Sequence, residues 1–483
     1  MSFALVLLPL VMAVITFFTP SKRWRPRLVA ATALAHALLT GGALAAQARQ
    51  PAAMTAKGAG WLALDPPGLL LLAVISVLFL ACALYSVGYL RYREERANRR
   101  FSACLLGALA AMSLVAQAQH IGLLWIGMEA TTLATAPLIY FNRTPRSIEA
   151  TWKYLVISSV GLALALLGSF FVGYASLGNG GQASMLFADL LTRAPMLSKP
   201  WLRAGFCLLL VGYGAKMGLA PMHTWKPDAY GEAPGVVGAI LAGGVTSCAF
   251  IAILRVHLIV AAAGEGTYAS GLLVFMGLLS MGVAGALTLG QRDLKRMLAY
   301  SSVEHMGILT LAAGVGGGAL FAALLHLINN ALGKGVLFLS AGNLHRAFGG
   351  KTTDEIQGGL RRLPLSGTLF LLGFLAMTGS PPFGPFVSEV LILQAIFNHG
   401  RWLVGTLFLV FLFVVFAGMG ATSLAALQGR PSARAARSPY RDRLLTFAPA
   451  AALLLVVTLL GIYIPTPLRN LLHQAAAVLE TGK

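Results

Sequence analysis

The sequence predicts an all-α polytopic membrane protein, and three observations support that fold class. Hydrophobic residues make up 57% of the 483-residue chain and charged residues only 11%, whereas soluble domains hold about 25% charged residues. Apolar stretches recur along the whole chain, and a bilayer core of about 30 Å needs roughly 20 such residues per helix. Lys and Arg concentrate in alternate loops between these stretches. We therefore expect no soluble domain.

About fourteen apolar stretches are expected to cross the membrane as helices. The first of them lacks the basic leader and cleavage site of a signal peptide, so we expect it to be retained as a span. The stretches are residues 3–18, 28–46, 68–90, 101–118, 120–141, 150–175, 201–219, 233–259, 268–290, 297–315, 317–343, 364–396, 402–427 and 446–465.

The basic residues lie in short loops and not on one continuous surface. They cluster at 22–27, 91–100 and 430–443, and loops after odd-numbered stretches hold most of them. Because positively charged loops stay in the cytoplasm, both termini are predicted on the outer, periplasmic side of an inner membrane. The formal charge of +20 does not indicate a nucleic-acid partner, since no basic helix interleaved with exposed aromatic residues is present.

The cysteines do not indicate a metal centre, a disulfide or an iron–sulfur cluster. Cys82, Cys104, Cys207 and Cys248 all lie inside apolar stretches and form no Cys-x-x-Cys or Cys/His group. No glycine-rich nucleotide-binding motif follows a predicted strand. We therefore expect no metal, no cofactor and no catalytic centre in this chain.

Two of the predicted spans contain helix-breaking sequences. The seventh runs into 218–221 (Gly-Leu-Ala-Pro), and the twelfth contains 379–385 (Gly-Ser-Pro-Pro-Phe-Gly-Pro). Proline removes a backbone donor and clashes with the preceding turn, and irregular backbone in a membrane must be buried or line a wet cavity. Breaks five spans apart predict two inverted five-helix repeats, a transporter arrangement; the alternative is two proline kinks without a transport role.

The repeats define the predicted organisation of the chain. The four expected parts are 1–99 with helices 1–3, 100–260 with helices 4–8, 261–428 with helices 9–13, and 429–483 with a basic loop and helix 14.

Ionisable residues inside apolar helices are the candidate functional residues. Because a charge at the centre of a membrane helix costs about 2.5–3.5 kcal/mol, such a residue usually faces a partner or water. A series of them can pass protons, since burial disfavours their charged forms and histidine titrates near neutral pH. The alternative is a static buried ion pair between Glu129 and Lys216. The predicted proton-pathway residues are Glu129, Lys216, His223, His326, Lys334 and Glu389.

A second group of polar residues is expected to play an accessory part. Asp228 and His223 follow the first break. Each either lines the cytoplasmic mouth of that break or is a plain loop residue. Glu304 and His305 are adjacent, so they point to different faces of one helix, and Lys153 is an interface anchor in the alternative interpretation. The accessory candidates are Lys153, Asp228, Ser247, Glu304, His305 and Asn330.

Several motifs resemble those of a known family. Glu129 follows Trp125 by four residues, Lys216 and His223 flank the first break, and 293–302 reads Asp-Leu-Lys-Arg-Met-Leu-Ala-Tyr-Ser-Ser. These motifs, with 326–344 and 379–389, resemble the antiporter-like subunits of respiratory complex I, which are related to Mrp-type sodium/proton antiporters. The resemblance covers roughly residues 100–400 and implies fourteen helices, two inverted five-helix repeats and broken helices 7 and 12.

Within that family, 128–134 and 302–307 are most similar to component F of hydrogenase-4. That subfamily belongs to the membrane arm of group 4 nickel–iron hydrogenases and formate hydrogenlyase. The resemblance implies other integral membrane subunits and a hydrogenase or other redox peripheral arm as partners.

The resemblance also assigns roles by position. It implies that Glu129 pairs with Lys216, that His326 and Lys334 continue a central axis, and that Glu389 ends the second half-channel. Two positions depart from the family pattern. Ser247 stands where relatives often have a lysine on helix 8, and Asn330 where some have a second histidine on helix 11. Neither residue carries a full proton charge at neutral pH, so ordered water would have to link the halves.

The sequence thus predicts a proton-translocating, antiporter-like subunit of a redox-driven complex. Three alternatives stay open: an Mrp-type sodium/proton antiporter subunit, a module for inorganic-carbon uptake, and a membrane scaffold that conducts nothing. A free-standing enzyme is not expected, because no nucleophile–base or metal constellation is present.

Overall fold

The computed structural model describes residues 2–49, 60–177 and 183–480, and this part of the chain is helical with short connections, which confirms the predicted fold class. The long helices are α1 (Ser2–Phe18), α2 (Trp24–Arg49), α3 (Pro66–Arg91), α4 (Arg99–Gln117), α5 (Ile121–Ile139), α6 (Pro145–Ala175), α7a (Lys199–Met217), α7b (Trp225–Glu232), α8 (235–260), α9 (Gly266–Thr288), α10 (Leu294–Val315), α11 (Gly318–Phe348), α12a (Pro364–Met377), α12b (Gly384–Asn398), α13 (Trp402–Leu427), α14 (Leu444–Ile462) and α15 (Thr466–Glu480).

The helices are those of a multi-pass integral membrane protein. Among the described residues, nine helical stretches are long and apolar enough to cross a membrane, and one of them, Gly235–Thr288, comprises both α8 and α9. Helices α1, α12a and α12b are apolar but shorter. The total of about fourteen spans, the four-part division of the chain and the side of each terminus stay predictions.

Helices α8, α10 and α11 form the interior of the bundle. Nearly every residue of these three helices is buried, whereas α6 and α13 expose large apolar side chains such as Val160 and Phe413. A helix that is covered on all sides must lie among other helices, and apolar side chains exposed on the outer helices suit a lipid surface. The polar residues in the middle of α10 and α11 therefore face protein.

Both predicted helix breaks are present. Helix α7a ends at Gly218, which adopts a left-handed conformation with φ of 78° and whose N–H donates to the carbonyl of Gly214 over 2.7 Å. Helix α12a ends shortly before Gly379, with φ of 66°, and Ser380 N–H donates to the carbonyl of Leu375 over 3.1 Å. These bonds satisfy carbonyls that the broken helices would otherwise leave unpaired in the membrane.

Two features of the fold lie outside the sequence prediction. Helix α8 contains a π-helical turn at Ile240–Val245, and π-turns inside α-helices frequently occur at functional sites. Helix α15 follows the last predicted span and buries one face, Leu471, Leu472, Ala475 and Leu479, on the bundle. Its polar face includes Gln474, which accepts a hydrogen bond from the Gln47 amide over 2.7 Å.

Candidate functional site

Lys216 lies on the last turn of α7a, directly before the first break. Its side chain is fully buried, and its Nζ donates to the hydroxyl of Tyr154 over 2.6 Å and to Thr132 Oγ1 over 2.8 Å. The Nζ also lies 4.5 Å from the centre of the Tyr154 ring, within the range of a cation–π contact. Helices α5 and α6 thus supply two hydroxyl groups and an aromatic face to one lysine.

Glu129 lies one turn from Thr132 on α5 but does not contact Lys216 directly. Its Oε1 accepts a hydrogen bond from Ser159 Oγ over 3.3 Å, and its Oε2 is buried without a hydrogen-bond partner among the described residues. No ion pair within 4.0 Å joins the two side chains in this part of the chain. The pairing of Glu129 with Lys216 that the family resemblance implies is therefore not a direct contact, and the hydroxyls of Tyr154 and Thr132 bind two of the three ammonium donors of Lys216.

The segment after the first break contains one buried and one accessible candidate. His223 is buried, with its ring centre 6.5 Å from that of Tyr300. Asp228 on α7b accepts from Lys153 Nζ and from Arg296 Nη2, each over 2.8 Å. Asp228 and Lys153 thus form an ion-pair network that joins α6, α7b and α10 at an accessible end of the bundle.

A second lysine on the predicted axis, Lys334, belongs to the other half of the chain. It lies in the middle of α11, its side chain is fully buried, and its Nζ donates to Ser301 Oγ of α10 over 2.7 Å. Glu304, one turn further along α10, is also buried, and its Oε2 has no hydrogen-bond partner within the described ranges. As in the first half, a hydroxyl group and not a carboxylate holds the lysine.

A hydrogen-bonded pair of histidines lies next to Lys334. His305 Nδ1 and His326 Nε2 are 3.0 Å apart, and His326 Nδ1 lies 2.9 Å from Ser388 Oγ on α12b. The next residue, Glu389, is buried, with an Oε1 that has no partner among the described residues. Each neutral imidazole has one donor and one acceptor nitrogen, so the row can carry hydrogen bonds in either direction from α10 through α11 to α12b.

The same histidines are the best-spaced metal ligands in the described part of the chain. Ligand atoms of His305, His326 and Glu389 all lie within 4.8 Å of one another. Three of the four ring nitrogens are engaged in hydrogen bonds, and His305 Nε2 is the one without a partner among the described residues. A metal ion held by both histidines would have to displace at least one of these bonds, so the geometry favours proton exchange.

The two positions that depart from the family pattern are both buried. Ser247 Oγ donates to the carbonyl of Gly243 on its own helix over 2.6 Å. Asn330 lies one turn from both His326 and Lys334, and its side-chain oxygen and nitrogen lack hydrogen-bond partners among the described residues. Ser247 is thus engaged with its own backbone, whereas Asn330 leaves polar atoms available on the central axis.

Lys226 is a buried lysine that the sequence analysis did not predict as a site residue. It follows the first break on α7b, is fully buried, and its Nζ donates to Ser302 Oγ over 3.1 Å. Its aliphatic stem lies against Gly218, where any side chain would overlap it. Lys295, also missed, is buried on α10 and donates to the carbonyl of Ala233 over 2.9 Å. The sequence does contain a signal for Lys226: it lies a few residues beyond a membrane break and is flanked by Trp225 and a proline.

Comparisons with known proteins show which family this chain belongs to. A family model described as "NADH:quinone oxidoreductase/Mrp antiporter, TM" matches residues 118–420, which is more than half of the chain. The chain is 34% identical over 422 residues to a hydrogenase-4 component F homolog of Methylacidiphilum infernorum (isolate V4), with 83% of this chain and 87% of that protein covered. It is 32% identical over 408 residues to NADH-quinone oxidoreductase subunit N of Desulforudis audaxviator (strain MP104C), with 83% and 80% covered.

A solved structure extends the similarity to three dimensions. A chain of respiratory complex I from Thermus thermophilus with bound aureothin superimposes with a TM-score of 0.75 and 26% identity, covering 96% of this chain and 97% of that one. The broken helices, the buried lysines and the family match therefore identify this chain as a member of the NADH:quinone oxidoreductase/Mrp antiporter family of antiporter-like membrane subunits.

Proposed function

We propose that this chain translocates protons across the cytoplasmic membrane as one subunit of a redox-driven complex. The observation that carries the proposal is that Lys216 and Lys334 are fully buried, yet are held by hydroxyl groups. A permanently charged lysine in a protein interior normally needs a carboxylate, because an uncompensated buried charge is costly. A lysine held by hydroxyls can lose its proton and still donate hydrogen bonds, as a proton carrier must.

The second half supplies a route away from Lys334. His305 and His326 are hydrogen-bonded to each other, and His326 contacts Ser388, which precedes Glu389. A histidine can accept a proton on one nitrogen and release one from the other. We therefore propose the proton-pathway residues Glu129, Lys216, His223, His326, Lys334 and Glu389, with His305 as a direct participant. Lys153 and Asp228 would act at the entrance by holding α6, α7b and α10 together.

The driving event in this proposal comes from partner subunits. A charge change at one end of the axis would alter how strongly Glu129 stabilises the charged form of Lys216, because charges interact strongly in a low-dielectric interior. The neighbouring titratable groups would then gain or lose protons in turn. The similarity to a hydrogenase-4 component F homolog supports a hydrogenase-type redox arm and further integral membrane subunits as those partners. The chain itself would contribute no cofactor, and both termini would lie on the periplasmic side.

Partner identity is tested by tagging the chain, extracting it in mild detergent and identifying co-purifying proteins by mass spectrometry. Nickel–iron hydrogenase and iron–sulfur subunits are the expected result. A set of small membrane subunits alone, or a soluble metal-containing carbon-hydrating partner, would contradict the hydrogenase assignment.

Proton translocation is tested in the purified complex reconstituted into liposomes with an internal pH-sensitive dye. Lys216→Ala and Glu129→Ala are each expected to abolish proton translocation while the complex still assembles and its redox centres still turn over. Translocation at the wild-type rate in both variants would overturn the proposal.

Sodium/proton antiport is the second candidate function, because the matching family model includes Mrp antiporters. It predicts that ion transport by the reconstituted complex depends on sodium concentration. Equal proton translocation in sodium-containing and sodium-free buffer would exclude it.

A further inference from the structure

The two halves of the proposed pathway need a connection, and α8 does not supply it directly. Lys216 is held by Tyr154 and Thr132 of the first half, and Lys334 by Ser301 of the second. Ser247 on α8 donates its hydroxyl hydrogen to its own helix. The connection can therefore be made by ordered water or by a group from another helix.

Lys226 on α7b reaches the second half from the first. Its side chain is fully buried, and its Nζ lies 3.1 Å from Ser302 Oγ and 3.5 Å from the Ser302 carbonyl oxygen, both on α10. Lys334 on α11 donates to the preceding residue of the same helix, Ser301, over 2.7 Å. Two buried lysines from different helices are thus bound to consecutive serines.

Neither lysine forms an ion pair with a carboxylate in the part of the chain that the structure describes. Within the described ranges, no ion pair within 4.0 Å involves Lys226 or Lys334. Two like charges bound to neighbouring residues of one helix, in a low-dielectric interior, repel each other. The arrangement is therefore favourable when the two lysines share one positive charge, and unfavourable when both are protonated.

We propose that Lys226 is a proton-carrying residue that connects the two halves, exchanging a proton with Lys334 through the hydroxyls of Ser302 and Ser301 and any water between them. The step breaks one N–H bond of the Lys226 ammonium group and forms one N–H bond on neutral Lys334. The hydroxyls and water each accept one proton, release another and end unchanged. This inference rests on the proposed function and adds a residue to it.

The opposing interpretation is that Lys226 only fills the space beside Gly218 and ties α7b to α10. Lys295 provides a matched control for that role, because it is also a buried lysine but donates to the backbone carbonyl of Ala233. A carrier and a structural tie respond differently to arginine, which remains protonated at any physiological pH. Arginine would keep a cation and its donors at position 226 but could not release a proton.

The experiment uses the whole complex in liposomes and measures protons moved per redox turnover. Lys226→Met and Lys226→Arg are each expected to lower this ratio at least tenfold, whereas Lys295→Met keeps it within twofold of wild type. Should position 226 prove necessary for assembly, Ser302→Ala removes only the accepting hydroxyl and is expected to lower the ratio at least fivefold.

The outcomes separate this inference from the proposed function. A wild-type ratio in Lys226→Arg or in Ser302→Ala overturns the role of Lys226, and loss of translocation in Lys216→Ala then leaves the proposed function standing. A wild-type ratio in Lys216→Ala as well overturns both.

A second, independent observation concerns a cavity between two of the connections. One cavity of about 410 Å³ lies between the α1–α2 and α3–α4 connections. Its lining contains a single carboxylate, Glu94, and six cationic side chains: Lys22, Arg23, Arg27, Arg91, Arg93 and Arg96. An excess of cations around one enclosed space matches a phosphate group, which accepts charge-assisted hydrogen bonds from arginine.

Apolar surface leads away from this cavity along the helices that form it. On α3, Val77, Leu80, Leu84 and Val87 follow one another at helical spacing to Arg91, and Val77 and Leu84 are exposed. On α2, exposed Leu34 and Leu38 continue the face of Arg27. From Val77 to Arg91 the face extends roughly 20 Å at a rise of about 1.5 Å per residue, enough for an acyl chain.

We infer that this cavity binds the headgroup of an anionic phospholipid whose acyl chains lie along α2 and α3. Basic pockets next to membrane helices on the cytoplasmic side recognise such headgroups, and the apolar faces distinguish a lipid from free phosphate. A water-soluble polypeptide partner is disfavoured because the apolar faces run into the depth of the bilayer.

The test measures phospholipid retained by the detergent-purified complex, by mass spectrometry, after incubation with vesicles containing anionic and zwitterionic lipid. The double variant Arg27→Gln/Arg91→Gln is expected to retain at least threefold less anionic lipid than wild type. The control Arg430→Gln/Arg437→Gln removes the same charge from exposed positions outside the cavity and is expected to retain a normal amount. Equal retention in both variants, or displacement of the lipid by millimolar inorganic phosphate, would overturn the assignment.

Discussion

The two buried lysine centres use the same principle with different partners. Lys216 is held by a tyrosine and a threonine, and Glu129 on the same side is only half-buried. Lys334 is held by a serine and lies among two histidines and two carboxylates that are all buried. The first centre thus has one carboxylate, which is only half-buried, whereas the second is a dense group of buried histidines and carboxylates.

This difference indicates that the two lysine centres have different roles in proton movement. A lysine with few titratable neighbours responds mainly to charges outside its centre, because little inside it can compensate. A dense group can pass a proton among its own members at short range. We therefore expect substitutions in the histidine row to stop proton movement, and substitutions of the hydroxyl groups that hold Lys216 to reduce it more gradually.

Among variants that keep Glu129 and Lys216, the largest effect is expected for the histidine row. His326→Leu removes both hydrogen bonds that connect His305 to Ser388, so proton translocation by the reconstituted complex should fall at least tenfold. His36→Leu is the matched control, because His36 is equally buried between Ser113 and Ser76 but lies outside the proposed pathway. Equal losses in the two variants would mean that the histidines act through packing alone.

The two helix breaks give the next largest effect. Gly218→Ala and Gly379→Ala each place a side chain at a positive φ, which costs about 1–2 kcal/mol. The added methyl group would also displace Lys226 in the first case and Glu389 in the second. We expect both variants to lower the thermal unfolding temperature and to reduce translocation severalfold. Gly290→Ala, at a positive φ with open space around it, should share the stability loss but keep translocation.

A smaller effect is expected at the first lysine centre. Tyr154→Phe keeps the aromatic ring beside Lys216 but removes the hydroxyl that accepts from Nζ and contacts Thr135. An unsatisfied buried donor costs about 1–3 kcal/mol, so we expect a lower unfolding temperature and a two- to fivefold reduction in translocation. A loss as large as that of His326→Leu would show that the two centres do not differ in the way proposed.

The smallest effect is expected at the accessible ion pairs. Asp228→Asn weakens the contacts with Lys153 and Arg296, and exposed pairs contribute about 0.2–1 kcal/mol each. Translocation should stay within twofold of wild type in 0.15 M salt. A tenfold loss would make Asp228 a member of the pathway and not only a tie between helices.

Much of the fold was predictable because the membrane restricts the choice of structure. Helical length, apolar composition and the prolines at 221 and 381–382 led to the helices and both breaks. The π-helical turn in α8 and the amphipathic α15 were missed, since neither has a hydropathy signal like that of a span. Their positions depend on contacts between helices, such as Gln47 with Gln474.

The sequence predicted which residues form the site better than it predicted the contacts between them. Burial of Lys216, Lys334, His326 and Glu389 follows from their positions in apolar helices. The contacts do not, because Tyr154 and Ser301 come from other helices and a lysine can reach either a carboxylate or a hydroxyl. Lys226 was not predicted as a site residue, because the sequence of its segment is typical of a loop.

The position of Ser301 and Ser302 on one helix has a consequence for how the molecule can respond to motion. Consecutive residues of an α-helix lie about 100° apart around its axis, so a rotation of α10 about that axis moves the two hydroxyls in different directions. A turn that shortens the contact with Lys226 would lengthen the one with Lys334, and the reverse turn would do the opposite. The orientation of a single helix would then set which of the two lysines holds the charge.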